Sequence, residues 1–187
     1  TQLLIRRYNV YVWMPMLSIV LPDRDLNEKL LVREMKDGEV QPAESSYKRL
    51  SPFSKETERI MTDLFEDLAI HVRFTGVLFQ DDGYLSDFED FHPDAVKVYN
   101  KKFGTSDFSP DKLSDEQKAE WTRLKTARLN EFSSRLMEAV RKYRPDTRSA
   151  RTLYAISVTK PYSEEWLAQN YQETLKYNDY VVIMAYP

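Results

Sequence analysis

Two adjacent carboxylates, Asp81 and Asp82, sit just after an apolar run, Phe74–Phe79, with Gln80 between. If that run is a strand, both acids stand at its C-terminal end, where neighbouring side chains diverge. One can then face a cleft while the other is held by a neighbour. Acidic pairs in such places either move protons to and from a substrate or hold a metal ion. Two close carboxylates repel, so one tends to keep its proton near neutral pH, as a general acid requires. Further along the same segment come Asp87, Glu89 and Asp90. Asp87 extends the acidic group, whereas Glu89 and Asp90 read more simply as loop surface. Taken alone, an Asp-Asp pair after a strand is a short motif, and its bland reading is a helix cap with surface acids.

Aromatic and basic residues accompany the acids. Trp13 ends another apolar run, Asn9–Met14. It either packs in a core or offers its ring to the C–H face of a sugar. Tyr47 and Arg49 lie late in a long connection and can face the same cleft, although on their own they read as surface residues. Tyr186 lies at the mouth of the last apolar run, Tyr180–Tyr186, and points either to a site or to a core. Tyr84, Phe53, Phe88 and Phe91 add aromatic character to the connections. An aromatic, acidic cleft suits a neutral or cationic carbohydrate, including an amino sugar, better than an anion. His71 is placed at a helix end, and His92, before Pro93, as a cap.

The elements that must position these residues alternate. Four short apolar runs, Asn9–Met14, Phe74–Phe79, Leu153–Val158 and Tyr180–Tyr186, lack polar alternation and fit strands of a parallel sheet. Helical spacing appears in Ile60, Met61, Leu64, Phe65, Leu68 and Val72, and again from Trp121 to Val140. Ser114-Asp115-Glu116-Gln117 is a capping box for the longer helix. Ser163, with Glu164 and Glu165 after it, starts another helix, Pro93 opens one near Val96–Phe103, and Gln2–Tyr8 is the tail of a first. The connections after strands (Pro15–Ser54 and Gln80–Leu113) are long, and those after helices are short. Such asymmetry places chemistry at one end of the sheet. The order predicts an α/β fold. Residues 1–187 read as an internal part, about four βα units, of a single (β/α)8 TIM-barrel domain, which typically needs roughly 250 residues. A small open, doubly wound sheet is the alternative.

Composition removes other classes. The 187 residues contain no Cys and 2 His, which excludes thiol chemistry and disfavours a His-rich metal centre. A net charge of −3 gives no electrostatic footprint for nucleic acid. Four Gly leave no phosphate-cradling loop, and no cofactor is expected.

Several blocks occur together in order: Val12-Trp13-Met14-Pro15; Tyr47, Arg49-Leu50-Ser51-Pro52-Phe53; Leu78-Phe79, Asp81-Asp82; Leu85-Ser86-Asp87-Phe88-Glu89-Asp90; Ala168-Gln169-Asn170-Tyr171; Ile183-Met184-Ala185. As a set they resemble the C-terminal glycoside-hydrolase domain of bacterial poly-β-1,6-N-acetyl-D-glucosamine N-deacetylases (the PgaB type), along essentially the whole chain. The resemblance implies a (β/α)8 domain that binds and cleaves partly deacetylated poly-β-1,6-N-acetylglucosamine as an endo-glycosidase. It also implies a periplasmic setting during biofilm exopolysaccharide export, possible attachment to the outer membrane through the parent protein, a metal-dependent deacetylase domain N-terminal to this one, and an outer-membrane export porin as partner. By the same resemblance, Tyr47, Asp81, Asp82 and Asp87 line the glucosamine cleft. Members of the family carry His where this chain has Gln80, so a ring nitrogen has no role there. With an N-acetyl sugar the substrate's own acetamide can serve as nucleophile. The expected assignment is Asp82 as general acid, with Asp81 and Asp87 orienting the sugar. Two readings compete with a glycosidase: a non-catalytic polysaccharide-binding module, and a metal-dependent barrel enzyme with Asp81 and Asp82 as ligands.

Overall fold

A computed structural model of the chain describes residues 8–185. Tyr186, and all of the expected first helix except Tyr8, lie outside them; Tyr8 itself is in irregular backbone. Strand β1 (Tyr11–Met14) leads through helix α1 (Arg24–Leu30) to a hairpin of β2 (Arg33–Lys36) and β3 (Glu39–Pro42). Helix α2 (Lys55–His71), strand β4 (Gly76–Phe79), helix α3 (Pro93–Phe103) and the long helix α4 (Asp115–Tyr143) follow. Strand β5 (Arg148–Tyr154), three single-turn helices α5 (Ile156–Thr159), α6 (Glu164–Leu167) and α7 (Tyr171–Thr174), and strand β6 (Tyr180–Met184) complete the described chain.

The main sheet is parallel, with the strands in sequence order β1-β4-β5-β6. Each crossover adds its strand on the same side, and the order never reverses, which is the winding of a barrel and not of a doubly wound sheet. Burial agrees. Val12, Met14, Val77 and Phe79 face α2 and α4 and share one core with Met61, Phe65, Leu129, Phe132, Leu136 and Val140. The opposite face, which carries Trp13, Leu78, Ala150 and Tyr180 in register, has no helix on it among the described residues. Trp13 is 65 % exposed and Tyr180 50 %. A doubly wound sheet covers both faces; a barrel wall covers its outer face with helices and turns its inner face to the other strands. The fold is therefore part of an α/β barrel. Gly76 has a specific reason on that inner face: a Cβ there would lie 2.2 Å from the Tyr11 ring, so only glycine lets the ring cross the strand.

Helix starts follow the sequence. Ser114 and Gln117 form the reciprocal capping box of α4, and Ser54 caps α2. The ring of His92 accepts from the Asp94 N–H at the start of α3, with Pro93 in the first turn. Two expectations are corrected. The third strand is Arg148–Tyr154 rather than Leu153–Val158, and Ile156–Thr159 coils into a helical turn. The true strand escapes an apolar search because its helix-facing side carries Ser149 and Arg151, both buried and hydrogen-bonded. The helix expected from Ser163 breaks at Ala168, which takes a left-handed φ of 48°, and restarts after Asn170. The hairpin inside the first long connection was also unforeseen. Its signal was present in Asp37-Gly38, whose φ values of 53° and 83° are those a type I′ turn demands.

Candidate active site at the strand mouth

Asp82 is fully buried, and its carboxylate gathers the chain that leaves β1. Oδ2 accepts from the backbone N–H groups of Met16 (3.0 Å), Leu17 (2.7 Å) and Ser18 (2.6 Å), and Oδ1 also accepts from Met16 (3.0 Å). Burial pushes this carboxyl above the usual carboxylate range, while the three N–H groups and the Arg49 charge oppose the shift. Both oxygens are engaged away from solvent, which leaves neither facing a cleft. Gly83 follows with its carbonyl held from two sides, by Arg151 Nη2 (2.8 Å) and Gln169 Nε2 (3.2 Å). Arg151 is itself buried; its Nη1 donates to Asn130 Oδ1 at 2.6 Å, and burial lowers its pKa to about 10. The Asp81–Gly83 turn is thus anchored to β1, β5, α4 and the segment between α6 and α7.

On this turn Asp81 points the other way and is partly exposed. Its Oδ1 accepts a 3.0 Å hydrogen bond from the Tyr47 hydroxyl. That bond, then burial, then the Asp81 charge raise the Tyr47 pKa, so the phenol stays a donor. Tyr84 and Tyr154 meet edge to face, with ring centroids 6.0 Å apart. Burial first, then the charges of Asp81, Tyr84 and Tyr47, push Tyr154 up to about 12. Tyr47, Asp81, Tyr84 and Tyr154 therefore form one aromatic group around a single reachable carboxylate, at the C-terminal ends of β4 and β5. Tyr84 and Tyr154 were not singled out as site residues. Tyr154 ends a strand whose position the apolar pattern misplaced.

Arg49 does not line this cleft. It is 2 % exposed, and its guanidinium lies 3.9 Å over the Tyr84 ring. It donates to the Tyr84 carbonyl and, at 2.7 Å, to Glu89 Oε1. Its placement follows from that buried ion pair, which a surface reading of Glu89 did not anticipate. Glu89 in turn accepts from the Ser86 N–H at 2.9 Å. Asp90 is equally internal: it accepts from Ser51 Oγ (2.5 Å), the His92 N–H (2.8 Å) and the Arg33 N–H (3.3 Å). Burial pushes it to about 6.

Asp87 projects from the intervening turn into a cavity of about 340 Å³, whose lining includes Met35, Asp37, Phe88, Trp121 and Glu165. The hairpin walls this cavity, because β2 is stitched to the turn by Met35 N–H to Phe88 O (2.9 Å) and Phe91 N–H to Arg33 O (2.8 Å). Asp81 and Asp87 thus belong to one connection, Asp81 meeting the Tyr47 phenol and Asp87 lining this cavity. Trp13 stands exposed on the open sheet face, in register with Leu78. Tyr186 is outside the described residues. Among the described residues no group of three or more His, Cys, Asp or Glu side chains is placed to hold a metal ion, and no helix is long and apolar enough to cross a membrane.

Comparison with known proteins shows the family and the fold. The family described as "Hypothetical glycosyl hydrolase family 13" matches residues 2–187. A curated relative, "Poly-beta-1,6-N-acetyl-D-glucosamine N-deacetylase" of Escherichia coli (strain K12), is 38 % identical over 180 residues, which is 96 % of this chain and 26 % of the relative. The chain therefore spans about a quarter of that protein's length. The PgaB (BpsB) glycoside hydrolase domain from Bordetella bronchiseptica superposes with a TM-score of 0.84 at 33 % identity, over 95 % of this chain and 51 % of that one. A beta-galactosidase from Marinomonas ef1 has the same fold at 12 % identity, with a TM-score of 0.64 over 99 % of this chain and 32 % of that one.

Proposed function

Because the chain belongs to the family described as hypothetical glycosyl hydrolase family 13, we propose that it is part of a barrel that cleaves interior linkages of partly de-N-acetylated poly-β-1,6-N-acetyl-D-glucosamine. The observation that carries this reading is the Tyr47–Asp81 pair, set in an aromatic cleft at the strand ends. Tyrosine rings offer flat apolar faces to a pyranose, and the phenols donate to its hydroxyls. With Tyr47 holding one oxygen of Asp81, the other is free to accept from a substrate N–H, either an acetamide or the ammonium of a deacetylated unit. The name of the curated relative supports this choice of polymer, and that of the solved domain supports glycoside hydrolysis.

In this reading the roles shift from those expected of the sequence. Asp82 is framework: it shapes the loop after β1. Asp81 orients the sugar and its acetamide, and the acetamide oxygen attacks the anomeric carbon. Asp87 is the group left to give its proton to the departing glycosidic oxygen; its carboxylate then takes a proton from the water that attacks the anomeric carbon, opens the oxazolinium ring and restores the acetamide. Residues 1–187 belong to one barrel domain, and the parent polypeptide carries a deacetylase domain N-terminal to it. The protein works in the periplasm during export, held at the outer membrane through the parent chain, and passes polymer towards an export porin.

The test uses the whole polypeptide, incubated with partly deacetylated polymer, with products read by mass spectrometry. Shortened oligosaccharides are expected. Polymer of unchanged length that remains bound would replace the hydrolase with a binding module.

A further inference from the structure

The Asp87 turn is closed from beneath by a buried ammonium that the chemistry above does not use. Lys125, on α4, is fully buried. Its Nζ donates to the carbonyls of Ser86 (2.6 Å) and Glu89 (2.9 Å) and lies 3.9 Å over the Trp121 ring. Those carbonyls flank Asp87 on either side. The turn also closes on itself, with Glu89 N–H to Ser86 O (3.2 Å), Phe88 N–H to Ser86 Oγ (3.2 Å) and Ser86 N–H to Glu89 Oε2 (2.9 Å). One cation thus ties both ends of a four-residue turn to the longest helix, and Asp87 is the residue the turn presents.

We propose that Lys125 is a positioning residue for the reaction: its ammonium clamps the Ser86–Glu89 turn and so fixes where the Asp87 carboxyl meets the substrate. The inference rests on the reading of Asp87 as proton donor. Bonds from a charged donor are roughly twice as strong as neutral ones, and a buried carbonyl left without its donor is costly. A methionine would fill the same channel and keep the apolar contact with Trp121 while releasing both carbonyls. Misplacing a reacting group by about 1 Å can cost on the order of 100-fold in rate.

The clamp has its own pH signature. Burial lowers the Lys125 pKa to about 7, against the opposing charges of Asp87, Glu89 and Asp90 on the turn and Glu165 on α6. As pH rises through about 7 the ammonium loses its charge, and the bonds to the two carbonyls weaken.

The experiment compares the whole wild-type polypeptide with Lys125→Met, with kcat and KM for polymer cleavage followed from about pH 5.5 to about pH 8.5. The wild type is expected to lose kcat above about pH 7. Lys125→Met is expected to have kcat reduced about tenfold or more at the lower end, KM within about twofold, and to lack the part of the alkaline loss that deprotonation of Lys125 adds to that of Asp87. A variant with wild-type kcat, or one whose pH profile keeps the wild-type shape, would overturn the clamp. Should Lys125→Met fail to fold, Lys125→Gln, whose neutral amide can still donate to the turn, decides instead: the same loss of kcat is expected, and a wild-type kcat and pH profile in that variant contradicts the proposal. A wild-type protein that cleaves no polymer would instead overturn the functional reading beneath it.

Discussion

Replacing Asp82 by Asn separates a framework carboxylate from a reacting one. The native side chain gives three backbone N–H groups their acceptor, and all of it is buried. An asparagine keeps one oxygen, which can serve one or two of those donors, and turns an NH2 group towards the remainder. A buried donor without a partner costs about 1–3 kcal/mol, and a bond to a charged acceptor contributes about 1.5–3 kcal/mol. The expected loss for Asp82→Asn is therefore about 2–4 kcal/mol, and for Asp82→Ala, which strands all three donors, about 3–9 kcal/mol before any water enters. At about 2–4 °C per kcal/mol for domains of this order, Asp82→Asn lowers Tm by about 5–15 °C. Asp81 is partly exposed and meets one phenol, so Asp81→Asn stays within about 0.5 kcal/mol of wild type. The assay is thermal unfolding of both variants in the whole polypeptide, paired with polymer cleavage well below the lower midpoint. Asp82→Asn should unfold early and yet cleave when folded; Asp81→Asn should unfold normally and not cleave. An Asp82→Asn protein with wild-type Tm and no turnover would refute this reasoning and return the general acid to Asp82.

Other consequences follow from the same geometry. Tyr47→Phe removes the donor to Asp81 and is expected to lower kcat/KM about tenfold with Tm unchanged, as steady-state cleavage and unfolding together would show. Gly83→Ala drives a Cβ to 2.7 Å from Met16 Cε and 3.3 Å from Arg151 Nη2, so the packed turn must shift. Urea unfolding should register about 1–3 kcal/mol of destabilisation. Asp90 binds its proton more tightly folded, to about 6, than at its ordinary value of 3.8. Between those values the native state holds more protons than the unfolded one, so this group's contribution to stability is present below about 4 and is lost as pH rises through about 6. Asp90→Asn should remove that slope from urea midpoints measured across the window.

Much of the architecture was legible because it rests on local rules. The capping box at Ser114, the Pro93 helix start and the spacing within α2 and α4 are each written within a few adjacent residues. Three of the four main strands stand out as apolar runs, and for β1 and β4 the reason is that their outer sides enter one core. The fourth, β5, was misplaced because Arg151 and Ser149 are buried by pairing with Asn130, Gly83 and Asp179, partners scattered along the chain. The same limit governs the site. The acidic segment after β4 marked the right connection, but nothing local distinguishes Asp81 from Asp82. Their difference arises from the N–H groups of Met16 to Ser18, which fold brings across from β1. Arg49 and Glu89 look like surface charges in sequence, and only their mutual 2.7 Å contact explains why both are inside. Tyr154 joined the cleft through sheet register, which places the end of β5 beside β4.

We propose that the Tyr47–Asp81 cleft holds this polymer for cleavage. Its most direct test is chain length and binding measured on the same samples, wild type beside Asp81→Asn, with partly deacetylated poly-β-1,6-N-acetylglucosamine. The role proposed for the cleft requires shortened chains from the wild type, and from Asp81→Asn a folded protein with weakened binding and uncut polymer. Cleavage by Asp81→Asn at the wild-type rate would contradict it.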